Sequence, residues 1–189
     1  LPYYMSTIAL GCLAMVEDVQ GFGTKPIAWA AIIAYASKHG TTKKAVAKLA
    51  EELSGEVTIL NLEDKVSSRT NVEDFARVII GGSIYIGKIQ KSVRKFCDLN
   101  LEKLLKVDKL GLFICCGSEE KDMEQLVNSF PDKLIEKADL NGYFGYEYDL
   151  DKIGFIQRTM LKKAAGVEES ESNIKYDNIS KFATEFLKE

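Results

Sequence analysis

Along most of its length the chain alternates short unbroken apolar runs with longer segments whose apolar residues recur every three or four positions. Ala30-Ala31-Ile32-Ile33-Ala34-Tyr35 is an apolar run of strand length, the pattern of a strand covered on both faces. A polar turn leads into 42–53, where Ala45, Val46, Leu49, Ala50 and Leu53 fall at helical spacing and Gly55 stands where a helix C-cap belongs. Val57-Thr58-Ile59-Leu60 predicts a second strand, and Val78-Ile79-Ile80 a third, with a polar stretch of weak helical character through Thr70 between them. Val93, Phe96, Cys97, Leu101 and Leu104 make a helical stripe, Leu110 to Cys115 reads as a fourth buried strand, and Met123, Leu126, Val127 and Phe130 mark another helix. A fifth strand is expected over 142–148 and a last helix over 179–187, with Phe182, Ala183 and Phe186 on one face.

Five apolar strands separated by amphipathic helices imply an α/β fold, a doubly wound parallel sheet with helices on both faces, because each parallel connection must cross over the sheet. Right-handed crossovers restrict the topologies that remain. In such sheets ligands bind outside the carboxyl ends of the strands, where the winding direction switches. The informative residues are therefore those just after the first, third and fourth of these strands.

Composition narrows the classes. The 189 residues are 46% hydrophobic and carry 28 acidic against 25 basic side chains, a net charge of −3. A chain of this size buries about 70% of the surface its unfolded form exposes, so it needs neither disulfides nor a structural metal. Its basic residues are scattered, which argues against a nucleic-acid partner, since affinity for duplexes rests on Lys and Arg neutralising phosphates. Cys12, Cys97, Cys115 and Cys116 form no C-x-x-C pair, and His39 is the single histidine, so a zinc site is not expected and the thiols read as reduced, in a cytoplasmic protein. The apolar stretch from Ile8 to Val16 is shorter than the about 20 residues a bilayer span takes, and no positive charge precedes it. Residues 1–29 show no clear period and are set apart as an N-terminal extension of unassigned role, leaving 30–189 as the folded domain.

The first loop, Ser37-Lys38-His39-Gly40-Thr41-Thr42, runs straight into a helix. A helix start offers unpaired N–H groups and the positive end of its dipole, against which hydroxyls and a glycine let a phosphate sit. An ordinary turn in which Thr41 caps the helix has the same outline. The second loop, Gly81-Gly82-Ser83-Ile84-Tyr85-Ile86-Gly87-Lys88, approaches the Walker A spacing, but Ile89 stands where Ser or Thr would hold magnesium, which disfavours a nucleotide triphosphatase. Two isoleucines and a tyrosine between glycines suit a flat aromatic ring better than a phosphate, and packing under the loop is the plain alternative for Tyr85. Cys115 and Cys116 read as packing residues rather than a redox pair, because no cationic neighbour is evident to lower a thiol pKa. Glu119, Glu120, Asp122 and Glu124 read as carboxylates decorating a helix start.

The two loops in this order are where the chain resembles the flavodoxin-like family, from about Ala30 to its end. Within it, the chain looks most like the branch that includes the bacterial quinone-dependent protoporphyrinogen oxidases. The segment Tyr35 to Thr42 is similar to the family's phosphate loop, and Ile79 to Gly87 to that branch's strand-three motif. Tyr146 to Gly166, followed by Tyr176 and the last helix, is similar to the branch's C-terminal region with its aromatic and basic helix.

The resemblance implies noncovalent FMN and strand order 2-1-3-4-5. It implies that Ser37, Thr41 and Thr42 donate hydroxyl hydrogen bonds to the phosphate, with backbone N–H groups from Lys38, His39 and Gly40. Ser83, Ile84, Tyr85, Ile86 and Gly87 would flank the ring, Tyr85 stacking on it, and Cys116, Gly117 and Ser118 would reach its other edge. Two functions follow from it: an oxidoreductase that takes hydrogens from a tetrapyrrole and passes electrons to a quinone at the membrane surface, or a carrier that moves electrons between redox partner proteins. The branch's basic insertion after the fourth strand is missing, since Gly117 leads at once into Ser118-Glu119-Glu120, which counts against an anionic tetrapyrrole. For the first function, Arg158, Lys162 and Lys163 interleaved with Phe155, Ile156, Met160 and Leu161 outline a basic amphipathic helix able to touch a membrane surface, an outline an ordinary packed helix shares.

Overall fold

A computed structural model describes residues 27–64, 70–85, 87–150, 154, 158–159 and 169–188. In chain order the elements are β1 (Ile27–Ala36), α1 (Thr41–Glu52), β2 (Val57–Asn61), β3 (Phe75–Tyr85), β4 (Lys88–Ile89), α2 (Lys91–Leu104), β5 (Lys109–Cys115), α3 (Asp122–Val127), α4 (Asp132–Lys137), β6 (Leu140–Tyr143), β7 (Gly145–Tyr148), β8 (Glu171–Ile174) and α5 (Tyr176–Leu187). The main sheet runs β2-β1-β3-β5-β6, all parallel, with β4 antiparallel beside the end of β3. This is the expected flavodoxin-like α/β order, the fifth parallel strand being β6.

The unbroken apolar strands follow from burial on both faces. Successive side chains of a strand point to opposite faces. Ile32, Ala34, Val78, Ile80, Leu110, Leu112 and Ile114 meet Val93, Phe96, Cys97 and Leu104 of α2, with Leu126, Phe130 and Leu134 beyond. The alternate positions Ile33, Tyr35, Ile79, Phe113 and Cys115 meet Ala45, Val46 and Leu49 of α1 and Ile179, Phe182, Ala183 and Phe186 of α5. The inner strands β1, β3 and β5 therefore each belong to two cores at once, and a polar residue in their middle would be buried on either face.

Three expectations change. Gly81 to Tyr85 is not loop but the last part of β3, which pairs with β4 through Ile84↔Ile89 and Tyr85↔Lys88. The turn is made at Gly87, whose φ of 69° suits glycine. The single strand expected over 142–148 is two strands: Gly145, at φ 79°, turns the chain out of the sheet, and β7 pairs instead with β8 as a separate antiparallel hairpin. Tyr146 and Tyr148 thus sit on a strand, as expected, but on one outside the main sheet. The helix expected through Phe130 ends at Val127, and Met123 and Val127 stand exposed, because the stripe's inward positions are Leu126 and Phe130 alone.

The basic helix read from Phe155, Ile156, Met160, Leu161, Lys162 and Lys163 lies outside the described residues except for Arg158, and so do Cys12, Ile86 and the extension up to residue 26. Among the described residues no helix is long and apolar enough to cross a membrane.

Candidate functional site

From β1 the winding proceeds to β2 at one edge, and from β3 to β5 and β6 at the other, so it switches between β1 and β3. The loops after β1, β3 and β5 gather at that crest.

The first loop is built around Ser37. α1 starts after Gly40, which has φ 99° and no side chain to cap the helix. The capping role passes to Ser37, whose Oγ accepts from the N–H of Gly40 at 3.2 Å and of Lys43 at 3.4 Å. The N–H groups of Thr41 and Thr42, in the first turn of α1, have no intrahelical acceptor. The two threonines then differ. Thr41 Oγ1 donates to the carbonyl of Glu147 at 3.1 Å, whereas the Thr42 hydroxyl is buried, faces the Cys115 thiol, and has no hydrogen bond of ordinary geometry. Burial, and next the Lys38 ammonium, hold the His39 imidazole below its usual pKa, which favours the neutral form at neutral pH.

The first and second loops touch at Tyr85. The Lys38 ammonium lies 4.2 Å from the centre of the Tyr85 ring, and the His39 ring 6.5 Å from it at a tilt of 54°. Tyr85 is an exposed large aromatic, so one ring face is engaged by a cation while much of the side chain meets solvent. Its neighbours face elsewhere. Ile84 packs half-buried on the α2 side of the core, and Ser83 Oγ accepts a close hydrogen bond from Gln90 Nε2, the Gln90 side chain lying across Gly82.

The third loop is supported by residues the sequence reading passed over. Tyr143 donates to the Cys116 carbonyl at 3.1 Å. Tyr148, from β7, sets its hydroxyl against Gly117 so closely that a Cβ there would lie 1.8 Å from it. Glu147, the residue before it, accepts from Lys44 Nζ at 2.7 Å. The β7–β8 hairpin therefore reaches both the start of α1 and the loop after β5. The alternating tyrosines of 146 and 148 were legible as strand, but nothing local said that this strand leaves the main sheet. Burial pushes the Cys115 thiol up to about 12 and raises that of Cys116, so both are protonated at neutral pH and read as packing groups.

Of the expected site residues, Ser37, Lys38, His39, Gly40, Thr41 and Thr42 share one loop, with Tyr85 against it. Cys116, Gly117 and Ser118 stand across the crest beside Tyr148. Ile86 lies outside the described residues.

Residues 32–175 match the profile of the family described as flavodoxin domain, and the chain belongs to that family. It superposes on rubredoxin oxygen:oxidoreductase from the anaerobe Desulfovibrio gigas with a TM-score of 0.58 at 15% identity, covering 86% of this chain and 36% of that one. With the flavodiiron protein from Giardia intestinalis the TM-score is 0.54 at 14% identity, over 86% of this chain and 37% of the other. Oxidised flavodoxin 1 from Bacillus cereus gives 0.54 at 16%, over 84% of this chain and 97% of the flavodoxin. The chain thus spans little more than a third of the two larger proteins and nearly the whole flavodoxin. At these identities the likeness is one of fold. No curated protein sequence matches the chain.

The cofactor such a domain implies is FMN, and the crest fits a phosphorylated ring compound. A buried hydroxyl with unused donor capacity lies at the helix start. The loop has room, since a Cβ on Gly40 would meet nothing within 4 Å. An exposed aromatic stands next to both.

Proposed function

We propose that this protein is an FMN-binding electron carrier. The observation that carries the reading is the meeting of a phosphate-type helix start with an exposed aromatic, through Lys38 and Tyr85, at the winding switch. Bound there, FMN would accept and release electrons.

The chain's own residues divide the work of holding it. The first-turn N–H groups of α1 and the Thr42 hydroxyl meet the phosphate, and the helix dipole adds to their field. Neutral His39 adds a ring N–H without bringing charge. Tyr85 offers a stacking face to the ring, and Cys116, Gly117 and Ser118 close the opposite edge, held by Tyr143 and Tyr148. Ser37 already accepts two backbone hydrogen bonds, so its part is to shape the loop while its hydroxyl proton remains for the phosphate.

One feature favours the carrier over a protoporphyrinogen oxidase-like enzyme that hands electrons to a quinone. The loop after β5 is short, its exposed residues include Glu120 and Glu119, the latter paired with Lys175 at 2.8 Å, and before Lys121 it carries none of the arginines and lysines an anionic tetrapyrrole would need.

The test is direct. Purified protein titrated with FMN should acquire a flavin spectrum at one equivalent, pass electrons between a flavodoxin reductase and an acceptor protein, and leave protoporphyrinogen untouched in anaerobic mixtures with a quinone. Failure to retain FMN removes the redox reading, and turnover of the tetrapyrrole restores the enzyme.

A further inference from the structure

Tyr85 is surrounded by cations. Lys38 lies over its ring, and Lys88 is its direct cross-strand partner in the β3–β4 hairpin. Immediately after the hairpin, α2 presents Lys91, Arg94 and Lys95, all exposed and spaced three and four residues apart, hence on one face of the helix. Leu99 follows on that face, four residues past Lys95 and 72% exposed. None of Lys38, Lys88, Lys91, Arg94 and Lys95 makes an ion pair with another described residue, which is also true of Lys43, Lys106, Lys121, Lys133 and Lys181; what sets the first five apart is that they gather around Tyr85 and along one face of α2. Across the crest the balance turns acidic, with Glu120, Asp122 and Glu124 around Lys121, and with Glu119 held by Lys175 at 2.8 Å.

We propose that this basic face, centred on Tyr85 and running down α2 to Leu99, is the docking surface for an acidic redox partner protein. The inference rests on the FMN reading, because Tyr85 stands where the ring would be reached. Cations beside that point orient an incoming acidic surface, and the carboxylates across the crest turn away the reverse approach. Tyr85 supplies an aromatic contact at the centre of this surface, and exposed Leu99 adds an apolar one at its far end. A protein fits better than a nucleic acid. Glu63, held by Ser92 Oγ at 2.6 Å, together with Asp64, Asp98 and Glu102, flanks the cations, and a continuous phosphate array would meet those carboxylates.

The experiment pairs kinetics with mapping. Holoprotein reduced with dithionite and freed of excess is mixed with an acidic b-type cytochrome or a basic c-type cytochrome, each transfer moving one electron from reduced FMN to a ferric haem. The rate constant for the acidic acceptor should fall at least tenfold as ionic strength rises from about 0.01 M to about 0.15 M, which shortens the Debye length from about 30 to about 8 Å. The triple variant K91E/R94E/K95E should show a loss of similar size at low salt, with FMN content and urea midpoint unchanged. In parallel, amide shifts of labelled protein titrated with the acidic cytochrome should fall on Lys38 and on residues 85–99, a measurement that needs no flavin. Faster reaction with the basic cytochrome, a salt-independent rate in both proteins, or shifts confined to residues 116–124 would overturn the assignment. Absence of the flavin spectrum alone would instead count against the FMN reading.

Discussion

Replacing Gly117 by alanine tests whether the β7–β8 hairpin props up the third loop. A Cβ at this position would lie 1.8 Å from Tyr148 Oη and 2.9 Å from its Cζ, where ordinary contacts need about 3.5 Å or more. The phenol must therefore retreat by well over an ångström. It is not free to do so without cost, because Tyr148 is paired with Glu171 in β8 and its ring packs 4.9 Å from that of Tyr146. Overpacking of this kind costs about 1–3 kcal/mol. Tyr148→Ala removes the obstacle, so the double variant should recover most of the Gly117→Ala loss, with a coupling of about 1–2 kcal/mol, inside the range for residues in contact. Tyr148→Phe removes Oη but leaves Cζ, and should recover only part. Urea unfolding of the four variants, with an unchanged m-value as the check on two-state behaviour, gives the cycle. Strict additivity, within about 0.3–0.5 kcal/mol, would mean that Tyr148 does not bear on the loop.

Thr42→Val should leave the ligand-free protein no less stable by urea unfolding, since the hydroxyl it removes has no good partner, while weakening FMN about tenfold in a fluorescence titration; a loss of ligand-free stability would contradict the assignment. Gly145→Ala combines a positive φ with a Cβ 2.0 Å from the Asn173 carbonyl, so it should open the hairpin to limited proteolysis. Gly40→Ala, with φ 99° but open space, should cost only the about 1–2 kcal/mol of the left-handed conformation. Burial pushes the Cys97 and Cys115 thiols up to about 12, so the native state holds their protons after unfolded thiols, near about 8.5, have lost them. Stability should therefore fall as pH rises from about 8.5 towards 12, and Cys115→Ala should flatten that slope of the urea midpoint; an unchanged slope would refute it.

How far the sequence could be read depended on how local the determining physics is. β1, β3 and β5 were legible because burial on both faces leaves runs such as Ala30 to Tyr35 and Leu110 to Cys115 with nothing polar in them. The first loop was legible because a helix start advertises itself through Gly40 and the threonines. Ser83 and Ile84 were misplaced as loop, since glycine pairs usually break strands. Here Gly81 and Gly82 stay in β3, because a Cβ at either would run into Phe113 or Gln90. The hairpin was invisible for a different reason. Whether Tyr148 continues the sheet or folds across the crest is decided at Gly145 and by β8, more than twenty residues later, and no local pattern encodes that pairing.

That hairpin also makes two adjacent, chemically identical residues unequal. A phosphate recruiting the Thr41 hydroxyl must take it from the Glu147 carbonyl, exchanging one hydrogen bond for another, and the gain is only the difference between a charged and a neutral acceptor. Thr42 surrenders only its poorly aligned contact with the Cys115 thiol, so nearly its whole bond would be available. Lys44 stands with Thr41, for its ammonium is 2.7 Å from the Glu147 carboxylate, on a side chain only 15% exposed. If the phosphate binds at this helix start as proposed, its grip is set as much by what β7 already holds as by the donors in the loop, and the same Ser-x-x-Gly-Thr-Thr sequence on a scaffold without the hairpin would bind more tightly through Thr41 and Lys44.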